Sequence, residues 1–263
     1  MKIILYKPLF LIASIILTFG CEQDNILVDP NYPTTINKLN YSTLSQNRET
    51  YSLRNIYLQT SLNEFGFCAN GDVSSEIPPI LESLTEEEAV ETVKNFVATN
   101  PYETGVENIL ELRFDRIFLR SGYTDGSTKW IITSSCQKID TIEVENTNIS
   151  FRIRNREVEA CTGNWFPEIY IPSSFIFSQT QAKSRLLNKV VEHYNIAGEK
   201  YYQTITSGGL ESSNITLCIL PMTQDECIEL RVAWKIWIES VSYIIFVDVM
   251  TGEILSQEPT IIS

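Results

Sequence analysis

Apolar and polar residues alternate through "RVAWKIWIESVSYIIFVDVMTGEIL". Val232, Trp234, Ile236 and Ile238 share one face of a strand, and Tyr243, Ile245, Val247 and Val249 share one face of the next. A period of two marks a strand with one dry and one wetter side. Gly252 after Thr251 admits the positive φ of a tight turn, and a third short strand follows it. Trp237 belongs to the other alternate set. It is a candidate interface residue, or it is covered by a neighbouring unit.

Two segments carry a helical period instead. Thr85 is a good N-cap, and Glu88 three residues on completes a capping box. Glu86, Glu87 and Glu88 place negative charge at the positive end of the helix dipole. Ala89, Val90, Val93, Phe96 and Val97 form its apolar face, and Pro101 and Gly105 stop it. The second helix opens at Ser178, again with Gln181 three residues on. Ala182, Leu186, Leu187, Val190, Val191 and Tyr194 form its face, which predicts a helix reaching Tyr194 with His193 half-exposed on its surface. With Thr85 set on Ser178, Ala89 meets Ala182, Val93 meets Leu186 and Val97 meets Val190.

Strand-like segments follow both helices. After the first come "LELRFDRIFLR", a hairpin signal at Asp125-Gly126, "KWIITSS" and "ISFRIRNREVEAC". After the second come "KYYQTITS", "ITLCIL" and the strands quoted above. Each set holds a strand tryptophan, Trp130 or Trp234. The matching order predicts an α+β fold of two tandem units, each a helix packed on an antiparallel sheet. Their expected limits are 85–172 and 173–263. Residues 46–84 form an irregular or strand segment before them, in which "YSLRNIYLQTSL" suits a strand or a short helix.

The chain starts with a basic lead, Lys2 and Lys7, and an apolar run from Pro8 to Phe19. That run is shorter than the ~20 residues that span a bilayer and suits the core of a signal peptide over residues 1–20. "LTFGC" resembles a bacterial lipobox, although Phe19 is bulkier than the usual residue there. The resemblance implies cleavage before Cys21, lipid on Cys21, and a cell-envelope protein held to the outer membrane on its periplasmic or surface side. Residues 21–45, polar with two prolines, then read as the lipidated, flexible tether.

Acidic residues outnumber basic ones by 33 to 20, a net charge of −13, and loss of Lys2 and Lys7 makes it more negative. Such a chain repels phosphate backbones, which argues against nucleic acid as a partner. Nor does it offer a polybasic pull towards anionic lipid, so the anchor must be covalent. With 43% hydrophobic and 20% charged residues the chain suits a folded globule.

Besides Cys21 there are Cys68, Cys136, Cys161, Cys218 and Cys227. "CILPMTQDEC" puts Cys218 and Cys227 at the two ends of an expected hairpin, a candidate disulfide. Cys136 with Cys161 is the second candidate pair, leaving Cys68 over; buried reduced thiols are the other reading. One histidine and the cysteine spacing fit no zinc site. Asp72, Asp125 and Asp140 lie in loops without the spacing of an EF-hand. Neither a nucleophile elbow nor a phosphate-cradling glycine loop occurs. The expectation is no enzyme, no cofactor, no metal and no catalytic residue.

"AWKIWIESVSYIIFVDVMTGEIL" resembles the end of a PepSY domain, the module of metalloprotease propeptides and many secreted bacterial proteins. The resemblance rests on Ala233, Trp234 and Lys235, on Val247 and Asp248, and on Thr251, Gly252, Glu253 and Ile254. It covers residues 178–257 well and 85–158 weakly, where Asn155, Arg156 and Glu157 replace the Thr-Gly turn. It implies a PepSY or cystatin-like fold and a non-catalytic protein-binding role, with a peptidase as one partner class. The other reading is a structural or assembly subunit of an envelope complex.

Overall fold

The computed structural model describes residues 29–69, 84–121, 128–194 and 199–260. The leader, Cys21, Asp72 and the Asp125-Gly126 hairpin signal lie outside them. Strand β1 (Thr34–Asn37) leads to helix α1 (Tyr41–Arg54), which starts where the Asn40 side chain accepts the Thr43 N–H at 2.9 Å. A small hairpin follows, β2 (Ser61–Leu62) with β3 (Cys68–Ala69). Helix α2 (Glu86–Thr99) begins with the expected capping box, Glu88 N–H donating to Thr85 Oγ1 at 3.2 Å and Thr85 N–H to Glu88 Oε2 at 3.1 Å. One further turn, α3 (Pro101–Thr104), ends at Gly105 with φ +70°. A Cβ there would lie 2.0 Å from the Trp165 carbonyl oxygen, so glycine is required.

Strands β4 (Arg116–Arg120), β5 (Lys129–Ser134), β8 (Asn148–Arg154) and β9 (Glu157–Asn164) form an antiparallel four-stranded sheet in that order. Helix α2 covers it, burying Ala89, Val93, Phe96 and Val97 against Ile132, Phe151 and Ile153. The second capping box, Ser178 with Gln181, opens α4 (Gln179–Leu186). Then come the hairpin β10 (Val190–Tyr194) and β11 (Lys200–Thr204), the short α5 (Ser207–Glu211), and β12 (Asn214–Thr223), β13 (Cys227–Ile238), β14 (Tyr243–Asp248) and β15 (Ile254–Pro259). The last four are consecutive neighbours in a seven-stranded sheet. Val232, Trp234, Ile236, Ile238, Tyr243, Ile245, Val247 and Val249 are all buried in one core with Ala182 and Leu186 of α4, as the alternation requires. The fold is thus α+β.

The two tryptophans make equivalent bonds. Trp130 donates its indole N–H to the Leu84 carbonyl at 3.0 Å, and Trp234 donates to the Phe177 carbonyl at 2.8 Å. Leu84 and Phe177 each immediately precede a capping residue, Thr85 and Ser178. Each indole fixes the entry of a helix onto its sheet.

Four expectations are corrected. The predicted second helix stops at Leu186; Asn188 takes φ +62° and Val190–Tyr194 is a strand. Its apolar positions fit both periods, and pairing with Lys200–Thr204 decides the outcome. The expected tether of residues 21–45 is already structured by Thr34, where β1 pairs with Leu230 to Cys227 of β13. "YSLRNIYLQTSL" is mostly the end of a helix followed by loop. Finally, β6 (Gln137–Ile139) and β7 (Ile142–Val144), inside the expected first unit, join the seven-stranded sheet, β7 lying parallel to β12. Strands this short leave no readable period.

Candidate functional site

Among the described residues strand β4 is an edge. Its Cα partners there lie on β5 alone, from Arg116 opposite Thr133 to Arg120 opposite Lys129. Ile117 reaches the core under α2, but Phe118 and Leu119 are 48% and 50% exposed, on opposite sides of the strand. A strand edge presents alternate unpaired N–H and C=O groups, a ready template for another strand. Apolar side chains flanking it add area for a partner to bury.

Arg116 and Arg120 share the sheet face of Phe118, on the side away from α2. Further in on that face, Lys129 Nζ and Arg152 Nε bond the buried Glu159 carboxylate at 2.8 and 2.9 Å. Gln59 Nε2 adds a third bond to Glu159 at 3.1 Å. Two cations meet one carboxylate there, and Arg116 stands exposed at the outer end of the same face.

Trp237 stands on β13 as the alternation predicts, 44% exposed, with Asn214 and Ile244 as cross-strand neighbours. Beside it on the same face, Lys235 pairs with Glu145 at 2.8 Å. The β10–β11 hairpin exposes further aromatics, Tyr194 and Tyr202 on one face and Tyr201 on the other. The sequence reading missed these because it placed Tyr194 in a helix. His193 is buried in the hairpin rather than half-exposed on a helix; it stacks on Tyr201 with ring centres 4.9 Å apart and meets Tyr243 edge-on. Its pairing to Tyr201 across the ladder puts both rings on one side of the hairpin, His193 buried and Tyr201 still partly in solvent.

The turn carrying the Val-Asp and Thr-Gly signals is a structural device. Asp248 is fully buried and accepts from Tyr32 Oη at 2.8 Å, Arg231 Nη1 at 3.0 Å and the N–H groups of Met250 and Thr251 at 2.7 and 2.9 Å. With four donors the carboxylate holds the turn and carries no free valence for chemistry. Burial beside this carboxylate pushes the Tyr32 phenol far above its ordinary range.

Neither expected disulfide forms. Cys68, Cys136, Cys161, Cys218 and Cys227 are all free thiols. In the β12–β13 hairpin Thr223 opposes Ile228, so Cys218 falls opposite Ala233 and Cys227 lies at the turn beside Gln224. The turn centres near Asp225-Glu226, not midway between the cysteines, and register separates the two sulfurs by several residues. Cys136 lies just before β6 with its thiol on the Gln137 carbonyl, whereas Cys161 faces the core under α2. Burial raises the Cys218 and Cys136 thiols above their ordinary pKa.

No cluster of three or more His, Cys, Asp or Glu suited to a metal occurs among the described residues. No described helix is long and apolar enough to cross a membrane.

Comparison with solved structures gives one neighbour to report. The chain is similar to the Bacillus megaterium YpeB C-terminal domain. Sequence identity is 11% and the TM-score 0.29, over 86% of this chain and 99% of that one. No protein-family model and no curated protein matches the sequence.

Proposed function

We propose that this chain is a cell-envelope lipoprotein, anchored through lipid on Cys21, that acts as a non-catalytic protein-binding module built from two related PepSY-like units. The apolar edge of β4, unpaired among the described residues, carries the binding part of this reading. An extended segment with acidic and apolar residues fits it, adding a strand beside Arg116–Arg120 while a carboxylate meets Arg116 and its apolar side chains cover Phe118 and Leu119. The duplication rests on the two capping boxes and on the two indole bonds to the residues before them. The anchor rests on the "LTFGC" motif.

The test of binding uses the detergent-solubilised full chain and a triple variant, Arg116→Glu, Phe118→Asp and Arg120→Glu. A partner recovered from envelope membranes by the parent and lost from the variant, with Trp237→Ala without effect, supports the β4 edge. Equal recovery by parent and variant overturns it. For the peptidase class, micromolar chain should slow a partner metalloprotease; unchanged hydrolysis removes that class. Palmitate labelling that persists in Cys21→Ser removes the anchor.

A further inference from the structure

Two of the five free thiols in the described chain adjoin one another. Cys68 on β3 and Cys161 on β9 are both buried, and the two strands pack side by side. The contact is built into the chain on each side of it. Gln59 N–H bonds the Glu159 carbonyl at 2.7 Å, and Cys161 N–H bonds Thr60 Oγ1 at 3.3 Å, so residues 59–60 run along β9. The β2–β3 hairpin then turns through Gly66 and returns Cys68 opposite Leu62. The Tyr51 hydroxyl of α1 holds the Cys68 sulfur from the other side at 2.9 Å. Cys68 and Cys161 belong to the same buried cluster under α2, and burial, with the Cys68 thiol nearby, pushes the Cys161 pKa well up. The other three sulfurs have oxygens as their neighbours: Cys136 the Gln137 carbonyl, Cys218 the Ala233 carbonyl, and Cys227 the Gln224 side chain.

We propose that Cys68 and Cys161 form the structural disulfide of this protein when it folds in the presence of a disulfide oxidant. The thiolate of one cysteine attacks the oxidant's S–S bond and expels one thiol. The second cysteine then displaces the other thiol from the mixed disulfide. Two S–H bonds are lost and one S–S bond forms; the two protons and two electrons end on the two thiols of the reduced oxidant. In the finished fold both sulfurs are sealed from solvent, and a buried thiol resists ionisation. Exchange therefore takes place before the β2–β3 hairpin docks on β9, and the bond is then protected. The bridge fastens the segment ahead of α2 to the last strand of the four-stranded sheet. It encloses α2, α3 and strands β4 to β8 in one covalent loop, which restricts the unfolded chain.

The experiment refolds the reduced full chain in detergent with oxidised and reduced glutathione, alkylates remaining thiols, and maps linked peptides by mass spectrometry. The expected map shows Cys68 joined to Cys161, with Cys136, Cys218 and Cys227 alkylated. Thermal unfolding of the oxidised chain should lie roughly 10 °C above that of the same chain reduced, given a loop of this length. Cys136→Ser with Cys227→Ser should leave both results unchanged, and Cys161→Ser should abolish the shift. Where Cys161→Ser fails to fold, the wild-type peptide map alone decides. Refolded protein in which Cys68 and Cys161 are both alkylated, or in which either is joined to another cysteine, overturns the proposal.

Discussion

Gly252→Ala tests how the strand-end turn seats the second helix. Gly252 has φ +67°, and an added Cβ would lie 2.5 to 2.7 Å from three carbons of the Phe177 ring. Phe177 is not free to retreat. Its N–H donates to the Val249 carbonyl at 2.9 Å, its carbonyl accepts the Trp234 indole, and the Arg185 guanidinium sits 5.0 Å over its ring. The left-handed conformation costs an L-residue about 1–2 kcal/mol, and overpacking a seated ring costs about 1–3 kcal/mol. A loss of about 3 kcal/mol follows, which lowers the melting temperature by roughly 6–12 °C for a chain of this size. Urea unfolding at constant m-value measures it. A double-mutant cycle with Phe177→Ala separates the two costs, because removing the ring relieves the clash but not the backbone. Coupling of about 1–3 kcal/mol is expected between neighbours of this kind. A Gly252→Ala loss below about 1 kcal/mol, or a cycle additive to within about 0.5 kcal/mol, would refute the seating argument.

Three further outcomes are expected. Glu159→Ala removes the carboxylate from beside the buried Lys129, while Arg152 keeps its Gln59 bond, and should cost about 3 kcal/mol in chemical denaturation; Glu159→Gln, which keeps the hydrogen-bonding shape, should cost less. Trp130→Phe and Trp234→Phe should each lose about 1–3 kcal/mol, since each leaves a helix-entry carbonyl without its donor; a near-zero loss at either site breaks the equivalence of the two bonds. The carboxyls of Glu88, Glu143 and Glu192 titrate below the ordinary 4.5, held down chiefly by the Thr85 N–H, Lys138 and Lys200 respectively. Their stabilisation is full above 4.5 and fades as pH falls through their lower folded values. Glu157, raised by burial, acts with opposite sign: its contribution is present below 4.5 and is lost as pH rises through the folded value. Glu88→Gln should therefore flatten the acid limb of the stability curve and Glu157→Gln should raise stability at neutral pH, both read by denaturation at stepped pH.

Local signals were legible and pairings across long stretches of chain were not. Both capping boxes stand where a hydroxyl and a Glu or Gln three residues on demand them. The dry faces of β13 and β14 follow from alternation alone. Val190–Tyr194 went the other way because a strand partner outweighed a compatible helical period. Strands β1, β6 and β7 have three or four residues each, too few to carry a period, and only β13 and β12 give them a place. The cysteines failed for a related reason. Position at two ends of a turn says nothing until the register is known, and here the turn sits off-centre. The β4 edge was readable as a strand, but its openness depends on which strands pair elsewhere.

Strand β1 and strand β14 lie end to end along the same side of β13, and the Tyr32 ring and Asp248 carboxylate fill the junction between them. Traction arriving from the amino-terminal side therefore reaches the interior at once. It is borne first by a phenol anchored on a buried carboxylate and on the Val232 carbonyl, then by the strand at the middle of the larger sheet. Between Tyr32 and Thr34 there is thus no slack to take up such a load, and the larger sheet itself resists it.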